Sequence, residues 1–199
     1  MATASFRTGE LTFEDFVEMV PDGQKADLLD GVIFMASPDN LRVNKLNVCL
    51  AGVMQDFADQ RDLGEVFASR VAYRMGDNRA PEPDVGFLAK KQKAAQHFGF
   101  VQGPPTLAVE IVSPDSVDRD YVHKRRIYEE AGVKEYWIID PDEQRATFLV
   151  LERGRFRERK PVRSIWRSKV IPGFWLDVRW FWDDERPNAH KVLQLLLSE

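Results

Sequence analysis

Residues 106–139 read TLAVEIVSPDSVDRDYVHKRRIYEEAGVKEYWII. Two runs within this stretch, Thr106–Val112 and Tyr136–Ile139, are apolar almost without a break, which is the pattern of strands covered on both faces. A helix is expected between them over about Ser116–Ala131, stopped by Gly132, since glycine readily adopts the left-handed conformation that ends helices. Strand, helix and strand in so short a span form a crossover unit, in which the two strands can run parallel.

Working outward, Thr12 and Asp15 form a capping box that opens a short helix, and Pro21 and Gly23 close it. Asp30-Gly31 between Ala26–Leu29 and Val32–Ala36 is a two-residue hairpin signal. Leu46, Leu50, Val53, Met54 and Phe57 recur at helical spacing and predict a helix over about Asn40–Gln60. Strands are expected at Glu65–Ala68, Val71–Arg74 and Val85–Leu88. From Ala89 to Pro105 the chain is polar and carries Gly99, Gly103, Pro104 and Pro105, so it reads as an irregular surface excursion. The tail suggests a hairpin (Ala146–Leu151 with Arg155–Lys160), a strand near Phe174–Val178 and a helix around Lys191–Leu197. No linker or repeat divides the chain. The expectation is one α/β domain over residues 1–199 with a mixed central sheet and a core spanning about 12–182.

The chain has 199 residues, of which 44% are hydrophobic and 30% charged, a composition that supports a true apolar core. A single cysteine, Cys49, excludes an intramolecular disulfide and reads as a small core residue. The N-terminus lacks the basic-then-apolar pattern of a secretory leader, and no apolar run is long enough to span a membrane. A cytoplasmic protein without membrane contact is therefore expected. The three histidines, His97, His123 and His190, lack metal-ligand spacing. Trp175, Trp180 and Trp182 read as packing residues.

The net charge of −4 argues against a surface that coats nucleic acid, but the charge is uneven. Residues 153–169 hold eight basic side chains and one acid, a local +7. Arg153, Arg155, Arg157 and Arg159 would share one face of a strand. They could grip phosphates, although charge that keeps an edge strand from aggregating explains them slightly better.

The informative residues are polar ones at interior positions. Glu110 sits inside an apolar strand, where burying a carboxylate is costly unless a cation or donors compensate it. Asp84 opens another apolar strand, Pro83-Asp-Val-Gly-Phe-Leu88. At about 100° per residue, Val117, Asp120, Tyr121, Lys124, Ile127, Tyr128 and Ala131 fall on one side of the intervening helix. Arg119, Arg125, Arg126, Glu129 and Glu130 take the solvated remainder. Asp120 and Lys124 thus point inward one turn apart, beside the strand that carries Glu110. Two carboxylates on neighbouring strands with one lysine suit phosphodiester hydrolysis. The oxygen ligands favour Mg²⁺ or Mn²⁺, and the ammonium can orient a water or offset developing charge.

These residues, in the order Asp27-Leu-Leu-Asp-Gly31, Pro83-Asp84-Val85, Glu110-Ile-Val-Ser-Pro114, Arg119-Asp120, Lys124, Tyr128, Gly132-Val133 and Glu135-Tyr-Trp-Ile-Ile-Asp-Pro141, resemble the Uma-two family of bacterial endonucleases. Ile171-Pro-Gly-Phe174 followed by Leu176-Asp177 also fits, so the resemblance runs from about residue 12 to 182. It implies a restriction-endonuclease-like fold, with a mixed central sheet flanked by helices and Asp84 and Glu110 as the metal-binding acids of a PD-(D/E)XK motif. The lysine usual two places after the glutamate is absent, that position being Val112, and the resemblance places it on the following helix at Lys124. Two departures stand out. The upstream acid is Asp27 where the family commonly has Glu, and Asn44 stands about where a histidine is frequent, so no proton shuttle is available there.

The expected function is Mg²⁺- or Mn²⁺-dependent hydrolysis of DNA. Asp84 and Glu110 would hold the metal, Lys124 would position the attacking water, and Asp27 and Asp120 would support the pocket. The alternatives are a binding module of the same fold that has lost turnover, and a hydrolase of smaller phosphoesters. Because two DNA strands require two cuts, a homodimer fits this chemistry, although no interface is written in the sequence.

Overall fold

The structure is a computed structural model describing residues 10–198 except 39, 98 and 184, with the side chains of 93 and 94 also left aside. The first nine residues, read above for a leader, lie outside the described residues. In chain order the elements begin with α1 (Phe13–Met19), β1 (Ala26–Leu29), β2 (Val32–Met35), α2 (Leu41–Gln60), β3 (Gly64–Ala68), β4 (Ala72–Arg74) and β5 (Val85–Ala89). They continue with β6 (Gln96–His97), β7 (Phe100–Gln102), β8 (Leu107–Ile111), α3 (Arg125–Ala131), β9 (Glu135–Asp140), β10 (Arg145–Glu152) and β11 (Arg155–Arg159). The chain ends with β12 (Ile165–Arg167), β13 (Trp175–Asp177) and α4 (Ala189–Leu197).

The central sheet has six strands in the order β11-β10-β9-β8-β5-β3. β8 and β9 run parallel, with Val109 beside Trp137, and every other pair is antiparallel. The crossover expected from residues 106–139 is therefore present, and the fold is the mixed α/β class anticipated.

Strand alternation divides the interior. Val85, Phe87, Leu107, Val109 and Ile111 face α2 and α4 in the larger core, while Ala108, Val112, Tyr136 and Ile138 face α3 in a smaller one. The β1–β2 hairpin, α1 and β4 enclose a third cluster at the sheet's flank. Thr12 caps α1 through the reciprocal bonds to Asp15 read from the sequence, and Gly132 closes α3 at φ 84°.

Several expectations need correction. The stretch read as irregular carries regular elements: a 3₁₀ turn over Lys90–Ala95 leads into β6, and β6 and β7 join β4 in a separate three-stranded sheet. Polar composition hid these short strands because their partners lie elsewhere in sequence, β7 pairing in parallel with β4. A short strand at Ile165–Arg167 pairs with β13 and was not anticipated. The arginine-bearing β11 lies at the edge of the central sheet. Two of its guanidinium groups are already engaged, Arg155 by Glu129 and Arg159 by Glu152.

Half-buried Cys49, Trp175, Trp180 and Trp182 pack against the larger core. Among the described residues no helix is long and apolar enough to cross a membrane.

Candidate active site

The register that sets Val85 opposite Val109 sets Asp84 opposite Glu110 one step further on. Side chains so opposed lie about 5 Å apart at Cβ. Because their neighbours face the larger core, alternation turns both acids to the other face, toward the helix after β8. Strand register and a two-residue period thus place the two acids.

Asp84 accepts the Ile111 N–H through Oδ2 at 2.6 Å, and its Oδ1 is paired with Lys25. Glu110 accepts from Lys124 Nζ at 2.9 Å and from the Tyr128 hydroxyl at 2.8 Å, both at Oε1. Lys124 also lies 3.0 Å from Asp27 Oδ1 and 3.9 Å from Asp120 Oδ1. Asp27 accepts the Glu82 N–H at 2.8 Å and faces Arg119 Nε at 3.4 Å. Asp120 accepts from Ser116 Oγ at 2.6 Å, while its Oδ1 is buried without a hydrogen bond. All five residues read from the sequence, Asp27, Asp84, Glu110, Asp120 and Lys124, are buried here; Lys124 links Asp27, Glu110 and Asp120, while Asp84 is tied to Lys25 and the Ile111 N–H.

Local helix geometry brings the second half of the site together. Arg119–Lys124 forms a π-helical turn that leads into α3. Hydrogen bonding to the fifth residue back rotates the chain by roughly 80° per residue instead of about 100°. Arg119, Asp120 and Lys124 then span an arc of roughly 80°, where an α-helix would spread them over about 140°. This overturns two placements made with α-helical spacing: Arg119 turns inward to Asp27, and Val117, expected inward, is 42% exposed.

Sequence reasoning also missed Lys25, Glu82 and the Tyr128 hydroxyl. Lys25 and Glu82 each lie two residues before an acid of the site, a spacing that puts alternate residues of an extended chain on one face. That signal was available in Lys25-Ala-Asp27 and Glu82-Pro-Asp84. Asn44 is exposed and does not line the cavity.

Five buried carboxyl groups (Asp27, Glu82, Asp84, Glu110 and Asp120) interact electrostatically with three cationic side chains (Lys25, Arg119 and Lys124). Two negative charges are left uncompensated, and the proton affinities register this. Burial pushes the Glu110 carboxyl up to about 8 against the pull of Lys124, with Asp120 and Asp84 adding to the rise. Burial and the Asp27 charge lift Glu82 to about 7, and burial lifts Asp120 to about 6. Burial also acts on Asp27, but Lys124, Arg119 and Lys25 outweigh it and hold that carboxyl below its ordinary value.

A cavity of about 20 Å³, lined by Lys25, Ser37, Asp84, Glu110, Asp120 and Lys124 among others, opens on these groups. That is room for one water-sized guest. Among the described residues no three His, Cys, Asp or Glu side chains are gathered as a ready metal cage. The donor set still fits a divalent ion: it is oxygen-rich, short of two positive charges, and includes an Asp120 oxygen that accepts no hydrogen bond.

This charge deficit has a measurable consequence. Carboxyl groups with raised proton affinity bind protons in the native state that the unfolded chain has already lost. Without added cation, stability should therefore fall as pH rises from about 5 to about 8. A bound divalent ion takes the place of those protons and opposes the trend. Melting curves at pH 5.5 and 8.5 in chelator and in Mn²⁺ should show the cation raising Tm more at the higher pH, by roughly 5 °C or more. An equal shift at both values would mean that these carboxyl groups do not hold the ion.

The six-stranded mixed sheet defines a protein of the mixed α/β class, and comparison with known proteins gives its family. Residues 13–179 match the Uma2 family model, described as "Putative restriction endonuclease", and the chain belongs to that family. A crystal structure of a "putative nuclease belonging to DUF820" from Anabaena variabilis is similar, with a TM-score of 0.68 and 14% identity. The match covers 94% of this chain and 99% of the other. At that identity the likeness speaks to fold. No curated protein matches.

Proposed function

We propose that the protein is a divalent-metal-dependent endonuclease acting on DNA, with its centre at Asp84 and Glu110. One observation carries this reading: in an endonuclease family, two opposed carboxylates and a lysine meet at a small cavity, within a buried cluster two positive charges short of neutrality. Asp84 and Glu110 would hold Mg²⁺ or Mn²⁺, which when bound supplies charge neutralisation at the phosphate and a water of lowered pKa.

The chain's own groups do the rest. Lys124 and Tyr128 fix Glu110 through Oε1. The Ile111 N–H fixes Asp84. Asp27 holds Lys124 in place, and Asp120 offers an oxygen that accepts no hydrogen bond. In the hydrolysis, a water oxygen bonds to phosphorus as the P–O bond to the sugar breaks, and the water's proton ends on the departing oxygen.

One observation favours a second reading, a binding module without turnover: both Asp84 oxygens are already engaged, one of them by Lys25. Incubating plasmid and single-stranded DNA with Mg²⁺ or Mn²⁺ separates the two. The nuclease reading expects nicked and linear products from the wild type and a loss of about 1,000-fold or more in Glu110→Gln. Intact plasmid together with tight DNA retention would support the binding module. Cleavage of only a small diester such as bis(p-nitrophenyl) phosphate would redirect the assignment to lesser phosphoesters.

A further inference from the structure

We propose that Lys25, rather than Lys124, is the lysine that meets the scissile phosphate; this rests on the nuclease reading above. The two ammonium groups sit in opposite situations. Lys124 is 1% exposed and enclosed by Asp27, Glu110 and Asp120, so swinging toward a substrate would strand three buried acids. Its position suits holding Glu110. Lys25 enters from the residue before β1, at the wall of the same cavity, and its side chain is 21% exposed.

An ammonium has three N–H donors, and Lys25 spends one on Asp84 Oδ1. Two remain for a guest. Its flexible four-carbon stem also lets the charge move without disturbing the sheet.

The pairing with Asp84 suggests how the group becomes available. Lys25 compensates an acid that a divalent ion would also claim, and like charges at one oxygen repel. Ion binding at Asp84 therefore weakens the hold on Lys25, while an incoming phosphate supplies new acceptors nearby. Lys25 then hydrogen-bonds a non-bridging phosphate oxygen and stabilises the charge that builds there, with no proton transferred. The second ammonium thus serves as Asp84's partner before the ion arrives and as the phosphate's partner afterwards.

The test compares wild type with Lys25→Met and Lys25→Arg in three measurements: thermal melting, Mn²⁺ binding by calorimetry, and plasmid cleavage. Lys25→Met is expected to fold, to bind Mn²⁺ at least as tightly as wild type because a competitor for Asp84 is gone, and to cut about 100-fold more slowly. Lys25→Arg keeps the charge and should recover part of the rate. If Lys25→Met cuts as fast as wild type, the assignment fails while the nuclease reading stands. Loss of cutting together with weakened Mn²⁺ binding or a lost fold, seen also in Lys25→Gln, would assign Lys25 a structural role and overturn the proposal. A wild type that binds Mn²⁺ yet cuts no DNA fails the nuclease reading and this assignment with it.

Discussion

Lys124→Met is expected to lose about 3–5 kcal/mol of stability, a large fraction of what a domain of this kind typically has. Methionine nearly matches the lysine in volume, so packing is little changed and the effect is electrostatic. The ammonium is buried among Asp27, Glu110 and Asp120, whose charges outweigh its own burial and strengthen its hold on its proton. Without it, the deficit of positive charge in the cluster grows by one, and three acids face each other in a medium that screens poorly. Urea unfolding of the variant should give a sharply lowered midpoint with an unchanged slope. Adding Glu110→Gln removes one of the stranded charges and should return part of the loss, a coupling that a double-mutant cycle reads directly. A single variant within about 1 kcal/mol of wild type would show that the cluster is far better solvated than its geometry indicates.

Glu135→Leu should be nearly as damaging for a different reason. Glu135 is fully buried and accepts four hydrogen bonds, from Trp137 Nε1 at 2.7 Å, Trp166 Nε1 at 3.0 Å, Ser168 Oγ at 2.9 Å and the Lys169 N–H at 2.8 Å. Three of these donors belong to the segment around β12, so one carboxylate fastens that segment to the central sheet. Each buried donor left without an acceptor costs about 1–3 kcal/mol. Relaxation offsets part of the total, and a net loss of roughly 4 kcal/mol is expected. Trp166 stacks on Phe148 at 4.2 Å between ring centroids, so release of the segment should also shift tryptophan fluorescence to the red. Glu135→Gln should be milder but still harmful, because its amide nitrogen would face the Lys169 N–H. Unchanged fluorescence and stability in Glu135→Leu would mean that the segment is held by its apolar contacts alone.

Different parts of the molecule were legible in the sequence to different degrees, for physical reasons. Continuous apolar runs identified β8 and β9, and the helix between them revealed their parallel relation, because burial on both faces and a crossover leave few alternatives. The acids at 84 and 110 were readable because a carboxylate amid apolar neighbours needs a reason. Lys124 was readable from periodicity, since α and π spacing both turn it inward. Arg119 and Val117 were misplaced because the extra residue per turn is not encoded in any single side chain. The pairing of β7 with β4 was invisible because it depends on contacts distant in sequence. Lys25 was overlooked because a lysine just before a strand usually reaches solvent, and only the fold places Asp84 beside it.

The π-helical turn has one more consequence. A wide turn is in effect an ordinary helix with one residue to spare, so shortening it by a residue could leave Ile127 and Tyr128 seated against β9 while the chain rewound upstream. Arg119 and Asp120 would then swing out of alignment with Lys124. The spare residue works as a shim: the scaffold can do without it, but the three side chains keep a common aim only while it is there.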